Sequence, residues 1–192
     1  MGDFGFYLRE GFLHITDWKG YDHILFVLAL CLPYLAKNWR QVLILITAFT
    51  IGHSVTLAMS VFNRILVPST WIEFLIPVTI LITALENVWR NNTDNTHSRW
   101  RYVTALVFGL IHGMGFSNYL KSMLGKDESI ITQLLAFNVG LEVGQLLIVV
   151  FVLLLAFVFV QLLNIKRTSW TLFVSGGIFG ISLIMALERL PL

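Results

Sequence analysis

Charge and cysteine are both scarce in this chain. Only 12% of its 192 residues are charged, whereas 57% are hydrophobic, and the mean hydropathy is +0.79. Soluble domains carry roughly 25% charged residues, so the composition excludes an ordinary soluble protein and indicates an integral membrane protein. The net charge of +2 is small, and its basic residues are scattered over short loops, so no nucleic-acid partner is expected.

A disulfide framework and a signal peptide are also missing. The single cysteine, Cys31, lies in an apolar run and cannot form an internal disulfide. The first ten residues lack the basic region, apolar core and cleavage site of a signal peptide. We therefore expect the first membrane helix to direct its own insertion. No repeat of fixed period stands out, so residues 1–192 are predicted to form a single transmembrane helical domain.

Long apolar runs, by contrast, divide the chain into about six candidate spans. A mixed segment over residues 4–16 precedes them and is too short to cross a bilayer, so we predict an interfacial helix or lid there. The result is an all-α membrane protein with one helix bundle. The predicted spans cover residues 21–35, 42–62, 70–89, 102–124, 130–163 and 170–187.

The basic residues favour one orientation of this bundle. Three loops, which join spans one to two, three to four and five to six, carry basic residues with the single acid Asp94. The positive-inside rule favours the cytoplasm for them, so both termini would face outward. His97, in the hydrophilic loop over residues 90–101, is expected to be solvated. The basic residues are Lys37, Arg40, Arg90, Arg99, Arg101, Lys166 and Arg167.

Polar side chains inside the spans require an explanation, because ionisable groups next to hydrocarbon are expensive. At 1.5 Å of rise per residue, Asp22, His23 and Glu73 lie within the outer turn or two. A second group lies roughly 10 to 20 Å below the outer surface by the same count. Both groups can converge in the outer half of the bundle. The deeper residues are His53, His112, Asn138 and Glu142.

Helical spacing places these groups on shared faces. Asn138, Glu142 and Gln145 are four and three residues apart, so they lie on one face of the fifth span. Glu86 and Asn87 share a face of the third span with Thr79 and Thr83, but near its inner end.

Glycines flank two of the polar residues. Gly109 and Gly113 bracket His112, and Gly140 and Gly144 bracket Glu142. These small-xxx-small patterns predict close approach of helix backbones.

We interpret the cluster as a metal site. Histidines from three spans together with Glu142 form a ligand set that suits Zn, Ni, Co or Fe. The alternative is a purely structural network, in which His14 makes a hydrogen bond across helices and Ser54 bonds a backbone carbonyl. Asp22 can cap the first span, orient an imidazole or ligate directly.

Seven motifs, in the same order, resemble the HupE/UreJ family of small bacterial membrane proteins. The resemblance covers roughly residues 11–148. The motifs are Gly11-Phe-Leu-His14, Gly20-Tyr-Asp22-His23, Phe49-Thr-Ile-Gly-His53-Ser54, Ile72-Glu73-Phe-Leu-Ile, Ala84-Leu-Glu86-Asn87, Phe108-Gly-Leu-Ile-His112-Gly113 and Phe137-Asn138-Val-Gly-Leu-Glu142-Val-Gly-Gln145.

The resemblance implies divalent-metal transport or handling in the bacterial inner membrane, and the charge bias would then place both termini in the periplasm. The family is associated with hydrogenase and urease gene clusters, and some members are regarded as nickel permeases. His14, Asp22 and His23 would match its first-helix motif, although seven residues separate His14 from Asp22 instead of the usual five. Met114-Gly-Phe-Ser117 stands where the nickel branch has a second His-Gly and a glutamate. Nickel specificity therefore stays open.

Three functions are compatible with these residues. In a transporter, which we favour over an enzyme, the ligands would capture a divalent cation from outside and Glu86 with Asn87 would form an inner exit station. The predicted ligands are His14, Asp22, His23, His53, His112 and Glu142, with Ser54, Glu73, Glu86, Asn87, Asn138 and Gln145 in support.

The second function is a zinc hydrolase acting on a lipid or membrane peptide. Three histidines would hold the zinc ion, Glu142 would be the general base, and Ser54 or Asn138 would stabilise an oxyanion. The third is an accessory membrane subunit. The expected partners are lipid and the metal ion, and a homo-oligomer is compatible with all three functions.

Overall fold

The computed structural model describes residues 3–65, 67–90, 99–123 and 130–191, apart from the side chains of Asp3, Asn118 and Lys121. His97 therefore lies outside the described residues. A 3-10 turn over Ala36–Asn38 precedes α3, and a π-helical segment over Phe157–Leu162 extends α7. The helices are α1 Asp3–Thr16, α2 Asp22–Cys31, α3 Trp39–Val61, α4 Ser69–Trp89, α5 Arg99–Gly115, α6 Ser117–Met123, α7 Ile130–Ala156 and α8 Arg167–Glu188.

Helices are the expected solution for such an apolar chain, because each backbone N–H and C=O inside a bilayer must be satisfied within the protein. Within the described ranges, four helices are long and apolar enough to cross a membrane: α3, α4, α7 and α8. The helix α2 has 10 residues and α5 has 17, fewer than the roughly 20 that a span needs. The all-helical membrane fold is confirmed, and the count of about six spans stays a prediction.

Two predicted spans differ in detail from the helices observed. The first, over residues 21–35, contains only the ten residues of α2 as α-helix, and Pro33 follows, which has no N–H to donate to a further helical turn. The fourth, over residues 102–124, is divided at Phe116 into α5 and the short α6. The continuation of the chain past Cys31 is still buried, since Leu32 and Tyr34 are 2% and 0% exposed.

The backbones of α3 and α5 are in direct contact. A Cβ atom added to Gly109 would lie 2.2 Å from the carbonyl oxygen of Phe49, and one added to Gly113 would lie 2.2 Å from that of His53. Residue numbers rise together along the contact, so the two helices run parallel. The predicted close packing at Gly109 and Gly113 is confirmed, and it brings His53 beside His112.

The N-terminal helix α1 uses the same kind of contact with α7. A Cβ atom on Gly140 would lie 1.9 Å from the carbonyl oxygen of Leu8, and one on Gly11 would lie 1.9 Å from that of Phe137. The predicted segment over residues 4–16 is therefore a helix, and it packs against the first half of α7. This contact also explains how His14, near the end of α1, reaches the interior.

Two apolar cores lie on either side of the histidines. The larger one includes Phe26 and Phe49, and the smaller one includes Ile15, Leu57 and Phe137. Each of His14, His23 and His53 lies within four residues of a member of one of these cores along its own helix. The histidines contact both cores, since the ring centroid of His112 lies 4.9 Å from that of Phe26 and that of His14 lies 5.7 Å from that of Phe137.

The glycine contact predicts a sharp difference between two similar substitutions. Gly109→Ala must force α3 and α5 apart, and overpacking of this kind costs about 1–3 kcal/mol. Gly176→Ala on α8 should be close to neutral, because nothing lies within 4 Å of a Cβ there. Thermal unfolding of the detergent-solubilised variants measures the difference. Equal stability of the two variants would contradict the close contact.

Candidate metal site

Three histidines from three helices meet at one point. His14 is near the end of α1, His23 is the second residue of α2, and His53 is in the second half of α3. One ring nitrogen from each lies within 4.8 Å of the other two. The ring centroids of His14 and His23 are 4.6 Å apart, and that of His53 lies 6.2 Å from His14. Three imidazole nitrogens are a ligand set that zinc sites use, so this group is a candidate metal site.

His112 of α5 extends the group to a fourth helix. Its ring centroid lies 5.1 Å from that of His23, and its Nε2 lies 2.9 Å from Oγ1 of Thr79 on α4. The Thr79 hydroxyl donates to the carbonyl of Ile76 at 2.7 Å, so it accepts a hydrogen bond from Nε2–H of His112. The lone pair of His112 is then on Nδ1, and it is available to a ligand.

Asp22 fixes the tautomer of His23 in the same way. Its Oδ1 lies 3.1 Å from Nδ1 of His23 and also accepts the backbone N–H of that residue at 2.9 Å. Nδ1 therefore carries the proton, and Nε2 presents its lone pair. A carboxylate behind a histidine in this manner is a common arrangement around metal ions. Of the roles predicted for Asp22, the geometry matches orientation of the imidazole.

Five further ring nitrogens are buried and have no hydrogen bond of normal geometry to the described part of the chain. They are Nε2 of His14, Nε2 of His23, both nitrogens of His53 and Nδ1 of His112. An unsatisfied buried polar atom costs about 1–3 kcal/mol, so these nitrogens make the cluster a candidate binding site. Burial, with the neighbouring His23 and His53, lowers the pKa of His14 well below its ordinary value. The His14 imidazole is therefore neutral, as a metal ligand must be.

A cavity of about 210 Å³ connects the histidines with one end of the bundle. We call it the outer cavity, because the charge bias predicts that this end faces outward. Its polar lining contains three carboxylates and one guanidinium besides the histidines. The polar residues are His14, Asp17, Asp22, His23, Glu73, His112 and Arg189.

Glu142 lies apart from the three-histidine group. Its Oε1 accepts a hydrogen bond from Oγ1 of Thr47 at 3.3 Å, and the next polar residue of α7, Gln145, accepts one from Thr50 at 2.8 Å. These pairs join α7 to α3. The structure thus places Glu142 in a polar contact between two helices.

The supporting residues Ser54 and Asn138 bond to their own helices. Ser54 donates to the carbonyl of Thr50 at 2.7 Å, and Asn138 donates to that of Leu134 at 2.9 Å. Oδ1 of Asn138 is buried, and the Asn138 side chain interacts with the imidazole of His53, so Asn138 can orient that ring.

Glu86 and Asn87 belong to a charge-compensated network at the other end of α4. Oε1 of Glu86 lies 3.4 Å from Nε of Arg90 and 3.9 Å from Nε of Arg101. Oδ1 of Asn87 accepts hydrogen bonds from both terminal nitrogens of Arg101 at 3.2 Å. Nδ2 of Asn87 donates a hydrogen bond to the carbonyl of Ala29 at 2.7 Å. Buried charge is tolerated here because both signs are present.

Sequence reasoning missed three partners of the site. Thr79 was noted only as part of a polar face, Arg101 only as a loop charge, and Arg189 not at all. The spacing of Thr79 seven residues before Glu86 was a signal, since it keeps both on one face. Arg189 is a basic residue just after the last helix, a pattern too common to suggest a site.

A scan against protein families matched the family described as HupE / UreJ protein over residues 1–189. The comparison with curated proteins gave no match, and neither did the comparison with solved structures. The matched range includes α8 and Arg189, beyond the motifs that carried the resemblance. Members of this family are membrane proteins related to metal transport. The chain belongs to the HupE/UreJ family.

Proposed function

We propose that this protein transports a divalent transition-metal ion across the bacterial inner membrane, and that the ion binds between His14, His23, His53 and His112. The observation that carries the proposal is the set of buried, unpartnered ring nitrogens contributed by four different helices. Neutral imidazoles suit Zn, Ni, Co and Fe better than Mg or Ca. The metal is the cargo of the protein.

The outer cavity supplies the route of arrival. Its carboxylates, from Asp17, Asp22 and Glu73, outnumber its one guanidinium, that of Arg189. A cleft lined by negative charge raises the local concentration of cations. The ion would exchange water for imidazole where His14, His23 and His112 line the cavity.

A polar face of α4 supplies a path toward the opposite side. Thr79, Thr83 and Asn87 are buried on this helix, and Glu86 lies roughly 10 Å along the axis from Thr79. In this proposal Glu86 would accept the ion after it leaves the histidines, in exchange for contacts with Arg90 and Arg101. Polarity over much of the depth of the bundle favours transport, since an enzyme needs a single site.

The position of Glu142 also favours transport over the zinc hydrolase. The hydrolase would use Glu142 as a general base, within hydrogen-bond reach of a water on the metal. Its hydrogen bond to Thr47 instead makes it part of the contact between α3 and α7.

Elemental analysis of the purified protein tests the site. Near-stoichiometric zinc, nickel, cobalt or iron is expected in the wild type after metal loading. His53→Ala and His112→Ala should lose it, because each removes a buried ligand. His97→Ala is the matched control and should keep its metal. Full occupancy in both His53→Ala and His112→Ala would refute the site.

Thr79→Val tests the role of the hydroxyl behind His112. Without its acceptor, the imidazole can rotate or change tautomer, and loss of such an outer-shell partner typically weakens metal affinity about 10- to 100-fold. Thr79→Ser should retain most of the affinity because the oxygen remains. Titration with Co²⁺, followed by its visible absorption, measures both variants. The prediction fails if Thr79→Val binds as tightly as the wild type.

Glu86→Gln separates binding from transport. Uptake of radioactive nickel, cobalt or zinc into vesicles should be abolished, because the neutral amide cannot receive the cation, while metal bound at the histidines is unchanged. Glu188→Gln, at the exposed end of α8, serves as the control and should transport normally. Wild-type uptake by Glu86→Gln would contradict a path along α4.

A further inference from the structure

Asp22 has two partners of different kinds. Its Oδ1 holds His23, whereas its Oδ2 lies 3.5 Å from Nη1 of Arg189. Arg189 directly follows α8, so this ion pair joins the last helix to the first turn of α2. The Asp22 side chain is 13% exposed and that of Arg189 is 35% exposed. The carboxylate is therefore fixed by its surroundings, while the guanidinium has open space into which it can move.

Arg189 is also the one permanently cationic side chain in the described lining of the outer cavity. The cavity contains three carboxylates, those of Asp17, Asp22 and Glu73. An ion bound at Nε2 of His23 would lie on the far side of the ring whose Nδ1 contacts Asp22. The negative charge of Asp22 would then stabilise both the ion, through His23, and Arg189 directly.

These two cations compete. A positive unit charge near a divalent cation repels it, and in a partly buried site this repulsion is several-fold stronger than in water. When the ion arrives, the Asp22 carboxylate is drawn more strongly to His23, because the imidazole becomes a stronger donor. The contact of Asp22 with Arg189 can open, because it is longer and more exposed than the contact of Asp22 with His23.

We propose that Arg189 is a tethered counter-cation, which neutralises Asp22 while the histidines hold no metal and leaves Asp22 when a divalent ion binds. This inference rests on the proposed function of the histidines. It gives α8 a role in the site: occupancy of the histidines is transmitted to the end of α8, and α8 packs along α4, which carries Thr79 and Glu86. It also sets an upper limit on affinity, which a transporter needs in order to release its cargo.

A Co²⁺ titration of purified variants tests the competition. Arg189→Gln should bind about tenfold more tightly than the wild type, because the repelling charge is gone. Arg189→Lys keeps the charge and should stay within about threefold of the wild type by the same reasoning. Arg64→Gln, an exposed arginine that follows α3, is the matched control and should show no change.

The outcomes separate the two proposals. If the wild type binds Co²⁺ and Arg189→Gln binds equally or more weakly, the tethered counter-cation is refuted while the metal site stands. Weaker binding would mean that Arg189 only orients Asp22. If the wild type binds no Co²⁺, the proposed function itself is refuted, and this inference with it.

Chemical modification of the wild-type protein provides a readout that needs no variant. Phenylglyoxal reacts with free guanidinium groups, and mass spectrometry of the C-terminal peptide measures the rate at Arg189. The rate should rise several-fold when Zn²⁺ is bound, whereas the rate at Arg64 should not change. An unchanged or slower rate at Arg189 would show that the ion pair stays closed and would refute its displacement.

Discussion

The contact between the backbones of α3 and α5 determines most of the geometry of the site. Because Gly109 and Gly113 have no side chains, the two helices approach closely enough for His53 and His112 to project into one space. The contact between α1 and α7 at Gly11 and Gly140 does the same for His14. In a bilayer, where hydrophobic burial between helices contributes little, such close packing is a principal source of association. The histidines are therefore positioned by the least deformable parts of the bundle.

In this helix arrangement, the hydrogen bonds of each imidazole determine which ring nitrogen can bind a metal ion. Asp22 occupies one nitrogen of His23 and Thr79 occupies one nitrogen of His112, so the opposite nitrogens present lone pairs. Three of the four histidines line the outer cavity, so an ion that enters it can reach them. A metal ion would bind the ring nitrogens that lack hydrogen bonds. The packing of the helices thus supports the proposed transport. The ion pair of Asp22 with Arg189 connects this site to the end of α8.

The sequence predicted the all-helical membrane fold, the close glycine contacts and membership of the family, because hydropathy and residue spacing depend on local sequence. It could not predict the direction of individual side chains. Successive residues on a helix point about 100° apart, so a small rotation decides whether Glu142 faces the histidines or Thr47. The division of the predicted fourth span at Phe116 and the reach of Arg189 to Asp22 depend on tertiary packing as well. Neither has a periodic signal in the chain.

X-ray absorption spectroscopy of the purified protein loaded with zinc tests the central claim most directly. If the ion binds among the histidines, the spectrum should contain nitrogen neighbours at about 2.0–2.1 Å and the outer-shell scattering typical of three or more imidazole rings. A first shell of oxygen atoms without imidazole scattering would contradict the account. The histidines would then form a structural network, and the fold would stand without the transport site.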